Sequence, residues 1–340
     1  MNERPVLGRS AGATDTGRRR RRNEDAYVCE PPLFAIADGM GGAQAGEVAS
    51  RLAATVLEEG GLEEGGLGHV ADDGEERVAS LIREANRRVF QRASEDAATS
   101  GMGTTMTVAL VDSRAGAIAF GHVGDSRAYR VRDGELEQLT QDHSLVGELV
   151  RSGKISPEEA ESHPQRSVIT RALGTEADVD VDTFTREAEP DDVYLLCSDG
   201  LTDMLSDREI LELLDGAPAL DAAARRLVEA ANSRGGEDNI TVVVFELVEG
   251  AVEDTATMPV AAPAQPELDD DEDTLSGLER VPAVDTAVVS AAEIEQYAAQ
   301  EAAEPAAEPK RKRRRLLPFL LLLLVLLVAA AVIVLWGLYF

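Results

Sequence analysis

The last twenty-five residues, LLPFLLLLLVLLVAAAVIVLWGLYF (316–340), contain no charged side chain. As one α-helix they measure about 37 Å at about 1.5 Å per residue, enough to cross a hydrocarbon core about 30 Å thick with some tilt. A helix in a soluble fold keeps a polar face, and this run has none. It is expected to be a transmembrane helix, with Trp336 and Tyr339 at interface level near its far end. The six bases just before it, KRKRRR (310–315), put the upstream chain on the cytoplasmic side of the cell membrane by the positive-inside rule, as a single-pass protein. They also suit anionic lipid headgroups. A globular fold therefore has to come from what lies upstream.

Residues 251–309 do not offer one. They hold fifteen acidic residues against one base, Arg280, and are rich in Ala and Pro. Such a segment cannot bury enough apolar surface to offset its ordering entropy, so it is expected to be a disordered linker. As a flexible chain of about sixty residues it reaches roughly 45 Å. The folded unit is thus expected in residues 1–250. The whole chain carries a net charge of −30, which argues against nucleic acid as a partner, since that affinity rests on neutralising phosphates. Cys29 and Cys197 are too few and too far apart for a disulfide framework, and MNERPVLGRS has no apolar run of a secretory signal.

Within 1–250, PLFAIAD (32–38), TTMTVALVD (104–112), VYLLCSD (193–199) and NITVVVFELV (239–248) read as strands with buried faces. Residues 117–140 read as antiparallel strands turning at Asp133-Gly134. Helical patterns fall at 46–58, 75–96, 207–215 and 220–233. The polar stretch 142–173 suits a helical insertion at a sheet edge, a flap that shapes a substrate site.

Four of the strand-like runs end in or approach an aspartate: Asp38 in FAIADGMGG, Asp125 in GHVGDSRAY, Asp199 in VYLLCSDGLTD and Asp238 in GGEDNITVVV. A single Asp-Gly is usually a turn. Four aspartates gathered at strand ends would repel one another unless a cation sat among them. Oxygen ligands of this kind suit Mg²⁺ or Mn²⁺, and two such ions can share a bridging carboxylate and activate a water. A glycine after the aspartate lets the backbone turn sharply and offer its carbonyl.

Other chemistries fit less well. His69, His122, His143 and His163 show no paired ligand spacing, and the two cysteines form no CxxC, so zinc is disfavoured. Neither cysteine is followed by an arginine six positions on, as a thiolate phosphatase loop requires. GGAQAG (41–46) lacks the GKS or GKT ending of a P-loop.

Arg20 with Asn23-Glu24-Asp25, then ADGMGG, GMGTT (101–105), GDSRAY, SDGLTD and EDNITVVV, in this order, resemble the metal-dependent protein phosphatases of type 2C, over about residues 8–248. The resemblance implies an α+β fold, a four-layer α-β-β-α sandwich with a central antiparallel β-sandwich and a dinuclear centre of Mn²⁺ or Mg²⁺ at one end. It implies that Asp38 bridges two ions, that Gly39 gives its carbonyl to one, and that Asp199 and Asp238 complete a shell. Asp125 with Asp199 matches the position that holds a third, looser ion in bacterial members, and Glu24 and Asp25 act behind the ligands. A metal-activated water would then attack a phosphoserine or phosphothreonine directly.

The same pattern selects one arginine from TGRRRRRNED. A glycine three residues before it and NED three residues after it mark Arg20 as the phosphate clamp, a planar fork suited to two oxygens. Arg18, Arg19, Arg21 and Arg22 read as solvated surface that raises the local potential. The chain departs from many eukaryotic members in having Met40 where they place a proton-donating histidine, which leaves that role to a water. His143 and His163 near the flap are not distinguishable from surface histidines by sequence. The implied enzyme is a membrane-tethered phosphatase opposing serine/threonine protein kinases and acting on phosphorylated proteins. The competing reading is a catalytically silent, membrane-anchored scaffold that binds phosphoproteins, although a pseudoenzyme usually lacks one of these acids.

Overall fold

Met106–Asp112 (MTVALVD) is buried along its whole length, and Ile240–Gly250 (ITVVVFELVEG) along most of it. Strands buried on both faces need a covering layer on each side, and this requirement organises the molecule. The computed structural model describes residues 4–41, 45–62, 70–250 and 287–288.

In chain order the elements begin with strands β1 (Arg4–Asp15), β2 (Asp25–Glu30) and β3 (Leu33–Met40), then helices α1 (Ala45–Leu62) and α2 (Val70–Glu95). Next come β4 (Gly103–Thr104), β5 (Met106–Asp112), β6 (Ala117–Val123), β7 (Arg127–Arg132) and β8 (Glu135–Gln138). Helices α3 (Leu145–Arg151) and α4 (Pro157–Glu161) and strand β9 (Val168–Ile169) follow. The domain closes with β10 (Asp182–Glu187), β11 (Val193–Cys197), α5 (Asp199–Thr202), α6 (Asp207–Asp215), α7 (Leu220–Ser233) and β12 (Ile240–Gly250).

Two antiparallel sheets result. One has the order β1-β12-β11-β7-β8, the other β10-β6-β5-β3-β2 with β4 alongside β3. Between them, Phe34 stacks on Phe245 at 4.2 Å and Tyr194 on Phe245 at 5.1 Å, in a core that also buries Ile36 and Val243. Truncating such a ring to alanine costs about 3–5 kcal/mol. Ala49 and Ala53 of α1 and Val78 and Ile82 of α2 pack on the outer face of the second sheet. Ala224, Leu227 and Ala231 of α7 pack on Val242 and Val244 of the first. The layers are therefore helix, sheet, sheet, helix, as expected.

The flap lies between β8 and β10, which are edge strands of the two sheets. Its helices are short and start on capping serines: Ser144 accepts from the Gly147 N–H, and Ser156 forms a reciprocal capping box with Glu159. Asp133 and Gly134 both have positive φ, 53° and 76°, as the hairpin turn at that dipeptide requires. The expected membrane helix (316–340) and basic segment (310–315) lie outside the described residues. So does the expected linker (251–309), apart from Ala287–Val288, which pairs in parallel with Val168–Ile169. Among the described residues, no helix is long and apolar enough to cross a membrane.

Candidate metal centre

The β2–β3 hairpin sets Asp25 directly opposite Asp38. Neighbouring side chains across an antiparallel pair lie close together, so register alone brings two carboxylates side by side. The backbone of Asp38 is fixed by the GMGTT segment: its N–H donates to Thr105 Oγ1 at 3.1 Å, and its carbonyl accepts from the Thr105 N–H at 2.8 Å and from Thr104 Oγ1 at 2.9 Å. Gly39 follows, its N–H on the Glu24 carbonyl at 3.1 Å. A Cβ here would lie 2.1 Å from the Gly46 carbonyl oxygen and 2.5 Å from that of Glu24, so only glycine fits between α1 and the Glu24 turn.

The remaining acids arrive from the first sheet and the loop joining β6 to β7. Asp125 is buried in that loop. Sequence spacing put Asp199 at a strand end; β11 in fact stops at Cys197, Ser198 adopts the extended N-cap position, and Asp199 opens α5. Asp238 precedes β12, where its Oδ1 accepts from the Asn239 N–H at 2.8 Å. Arg20 reaches across to donate to Asp238 Oδ2 at 2.6 Å. Burial works against the Arg20 charge, but Asp238, Asp38 and Asp199 outweigh it and hold the guanidinium protonated.

The electrostatics show these groups acting on one another. Loss of water raises Asp38 well above the ordinary carboxylate range, and Asp25, Asp199, Asp238 and Asp125 push it further. Asp199 is raised likewise, by burial and then by Asp125, Asp238 and Asp203. Burial lifts Asp25 to about 6, Asp125 to about 7 and Glu24 to about 7, with Arg20 opposing the rise at Glu24. Among the described residues, no three His, Cys, Asp or Glu side chains converge at coordination spacing.

The donor set nevertheless fits hard divalent cations. Asp25 Oδ2 accepts from Ser198 Oγ at 2.9 Å and from Thr241 Oγ1 at 2.6 Å, yet Asp25 Oδ1 and Asp199 Oδ1 are buried and, among the described residues, have no hydrogen-bond partner. A buried carboxylate oxygen without a donor is costly, and a cation is the natural complement for several of them together. Cys197 is fully buried and its thiol is pushed up to about 12 by that burial, in keeping with a packing role.

Two residues near the site were not singled out by sequence. Asp203 stands four residues after Asp199, a spacing that shares a helix face. His143, read as indistinguishable from a surface histidine, is buried. Its Nδ1 accepts the Gly124 N–H at 3.0 Å, and its own N–H donates to the Gly124 carbonyl at 2.7 Å. Its Nε2 then carries the proton and donates to Asp182 Oδ2 at 3.2 Å. His143 thereby clasps the residue before Asp125 and joins it to β10. Its ring lies 4.7 Å from that of His122, which sits between Thr107 Oγ1 at 2.9 Å and the Gln141 carbonyl at 3.2 Å. His163 lies within the flap, where its Nδ1 accepts from the Gln165 N–H at 3.1 Å.

A sequence profile described as Protein phosphatase 2C matches residues 18–241. The serine/threonine phosphatase stp of Listeria monocytogenes serovar 1/2a is 43% identical over 238 residues, covering 68% of this chain and 93% of the relative. The serine/threonine protein phosphatase PstP of Mycobacterium tuberculosis is 44% identical over 273 residues, covering 78% of this chain and 50% of the relative. Among solved structures, M. tuberculosis PstP/Ppp superposes with a TM-score of 0.67 at 42% identity, over 72% of this chain and all of that one. The PstP catalytic domain in complex with two manganese ions gives a TM-score of 0.65 at 41% identity, again over 72% of this chain and all of that one.

Proposed function

The chain belongs to the protein phosphatase 2C family of serine/threonine phosphatases, and from that premise we propose that it hydrolyses phosphoserine and phosphothreonine in proteins with two Mn²⁺ or Mg²⁺ ions. Asp38, the Gly39 carbonyl, Asp199 and Asp238 would hold the pair, and Asp125 with Asp199 a third. The observation that carries this reading is the orphaned, buried oxygens of Asp25 and Asp199 inside a ring of mutually repelling acids. When bound, the ions would supply Lewis acidity, lowering the pKa of water and neutralising the phosphoryl oxygens.

The chain's own residues do the rest. Arg20 orients the substrate: its planar fork binds two phosphate oxygens, and its pairing with Asp238 keeps it at the site's edge. Asp25, anchored by the Ser198 and Thr241 hydroxyls, and Glu24 support the ligands from behind. Met40 cannot donate a proton; it packs instead against Ile169 and Ala172, tying the flap to the strand that bears Asp38. The test is hydrolysis of p-nitrophenyl phosphate and of a phosphothreonine peptide with Mn²⁺, with Mg²⁺ and with EDTA. Turnover is expected with either metal and not with EDTA; a folded protein inactive under all three conditions would contradict the reading.

We further propose that residues 310–340 tether the enzyme to the cytoplasmic face of the cell membrane, near serine/threonine kinases that it opposes. The uncharged run and its basic flank support this. Removing 310–340 should leave p-nitrophenyl phosphate turnover intact and slow the dephosphorylation of a kinase held in the same vesicles. Equal slowing on both substrates, or none on either, would refute the tether.

A further inference from the structure

We infer that Arg18, Arg19 and Arg21 form a second anion subsite beside the scissile phosphate, selecting protein segments that carry another phosphoryl or acidic side chain a few residues away. The inference rests on the phosphatase reading and names its substrate class.

The turn that bears these arginines has a fixed place. The N–H groups of Arg18 and Arg19 both donate to the Gly236 carbonyl, at 2.7 and 3.2 Å. Asn239 Nδ2 donates to the Thr16 carbonyl at 2.9 Å and to the Arg22 carbonyl at 2.8 Å, closing the turn at both ends. Gly17, with φ +80°, lies so near Asp238 that a Cβ would fall 2.1 Å from the Asp238 carbonyl oxygen. The loop is therefore seated on the backbone of a candidate metal ligand, and Arg20 points from it to the Asp238 carboxylate.

The charge of its neighbours has no internal use. Residues 1–250 contain 48 acids and 26 bases, a net charge of 26 − 48 = −22, so partners for a surface arginine are plentiful. Arg9, Arg51 and Arg225 each pair with one, and Arg88 with two. Arg18, Arg19 and Arg21 are exposed and, among the described residues, make no side-chain ion pair. Three unneutralised guanidinium groups flank a fourth that is paired inside the site, on a body that otherwise repels anions. Such an island steers negative ligands and holds them by bidentate contacts.

The scale fits a peptide. The Cα atoms of Arg18, Arg19 and Arg21 lie within about 8 Å of that of Arg20, since each step along the chain is about 3.8 Å. In an extended substrate, a charge two or three residues from the scissile side chain lies about 7–10 Å from it. A doubly phosphorylated segment matches both anchors.

The test uses the full chain with Mn²⁺ and two peptides sharing one phosphothreonine, one with neutral flanks and one with a second phosphothreonine two residues away. The wild type should favour the second peptide at least tenfold in kcat/KM at low salt, with the preference shrinking as salt rises. In R18S/R19S/R21S the preference should fall to about unity while p-nitrophenyl phosphate turnover stays unchanged, and R18K/R19K/R21K should retain most of it. Fluorescence anisotropy of the same peptides reads the preference without turnover, so an inactive protein would count against the phosphatase reading while this subsite is still decided by binding. An unchanged preference in the serine variant overturns the inference. So does a serine variant that loses only its affinity for phosphatidylserine vesicles, which would make the arginines a membrane contact.

Discussion

Two clusters of polar groups meet at the loop that carries Gly124 and Asp125, and they are built in opposite ways. On one side stand Asp25, Asp38, Asp125 and Asp199, mutually repelling and with orphaned oxygens on Asp25 and Asp199. On the other stand His122 and His143, in contact with each other and with both ring nitrogens of each engaged. A fully satisfied network strengthens a fold, whereas an unsatisfied one costs stability unless a ligand completes it. The contrast is one of chemistry: the histidines hold the loop through satisfied hydrogen bonds, whereas the acids offer oxygens of the kind that suits divalent cations.

The largest expected effect is on the acid side. Asp38→Asn should lower turnover by on the order of 1,000-fold, since a carboxylate proposed to hold the ions would control several kcal/mol of charge stabilisation. Steady-state kinetics at saturating Mn²⁺ checks this, and near-normal activity would break the comparison. Arg20→Ala should cost about 10–100-fold in kcat/KM on a phosphopeptide, the loss of charge-assisted bonds worth about 1.5–3 kcal/mol. Its thermal stability should change little if Arg20 serves the substrate more than the fold.

On the histidine side, His143→Ala should destabilise the protein by about 1–3 kcal/mol, because the buried Gly124 N–H loses its acceptor. Chemical denaturation in EDTA measures this apart from catalysis. Unchanged stability with lost turnover would move His143 from the scaffold to the chemistry.

The smallest effect sharpens the contrast by sign. Burial, with His143 alongside, pushes His122 down to about 3, so its contribution is present above its ordinary 6.5 and is lost as pH falls below that. Burial raises Asp25 to about 6, so its contribution is present below its ordinary 3.8 and is lost as pH rises toward 6. Across pH 4–6 in EDTA the two oppose each other. His122→Asn should gain on the wild type as pH falls, and Asp25→Asn as pH rises, each by up to about 1.4 kcal/mol per pH unit. Denaturation midpoints over that range decide it, and slopes of the same sign would contradict the assignment.

How much of this was legible in the sequence depends on where each residue's environment is set. Helices 207–215 and 220–233 follow from local periodicity, and strands β5, β11 and β12 from short continuous apolar runs that match their burial on both faces. Strands β1 and β10 do not. RPVLGRSAGATD and DTFTRE are polar or small-residue edge strands whose order comes from pairing with β12 and β6. The aspartates were legible as a group because each adjoins a strand. Arg20 stood out from its four neighbours only through the resemblance, and the structure sets it against Asp238. His143 was opaque for the opposite reason: its polar surroundings carry no pattern, and its partners Gly124 and Asp182 come from distant elements.

The most direct test of the contrast is a calorimetric titration of the metal-free protein with Mn²⁺, comparing the wild type, Asp199→Asn and His122→Asn. The expected result is at least two bound ions in the wild type, affinity weakened tenfold or more in Asp199→Asn, and wild-type binding in His122→Asn. Wild-type binding in Asp199→Asn, or a loss in His122→Asn equal to that in Asp199→Asn, would contradict it.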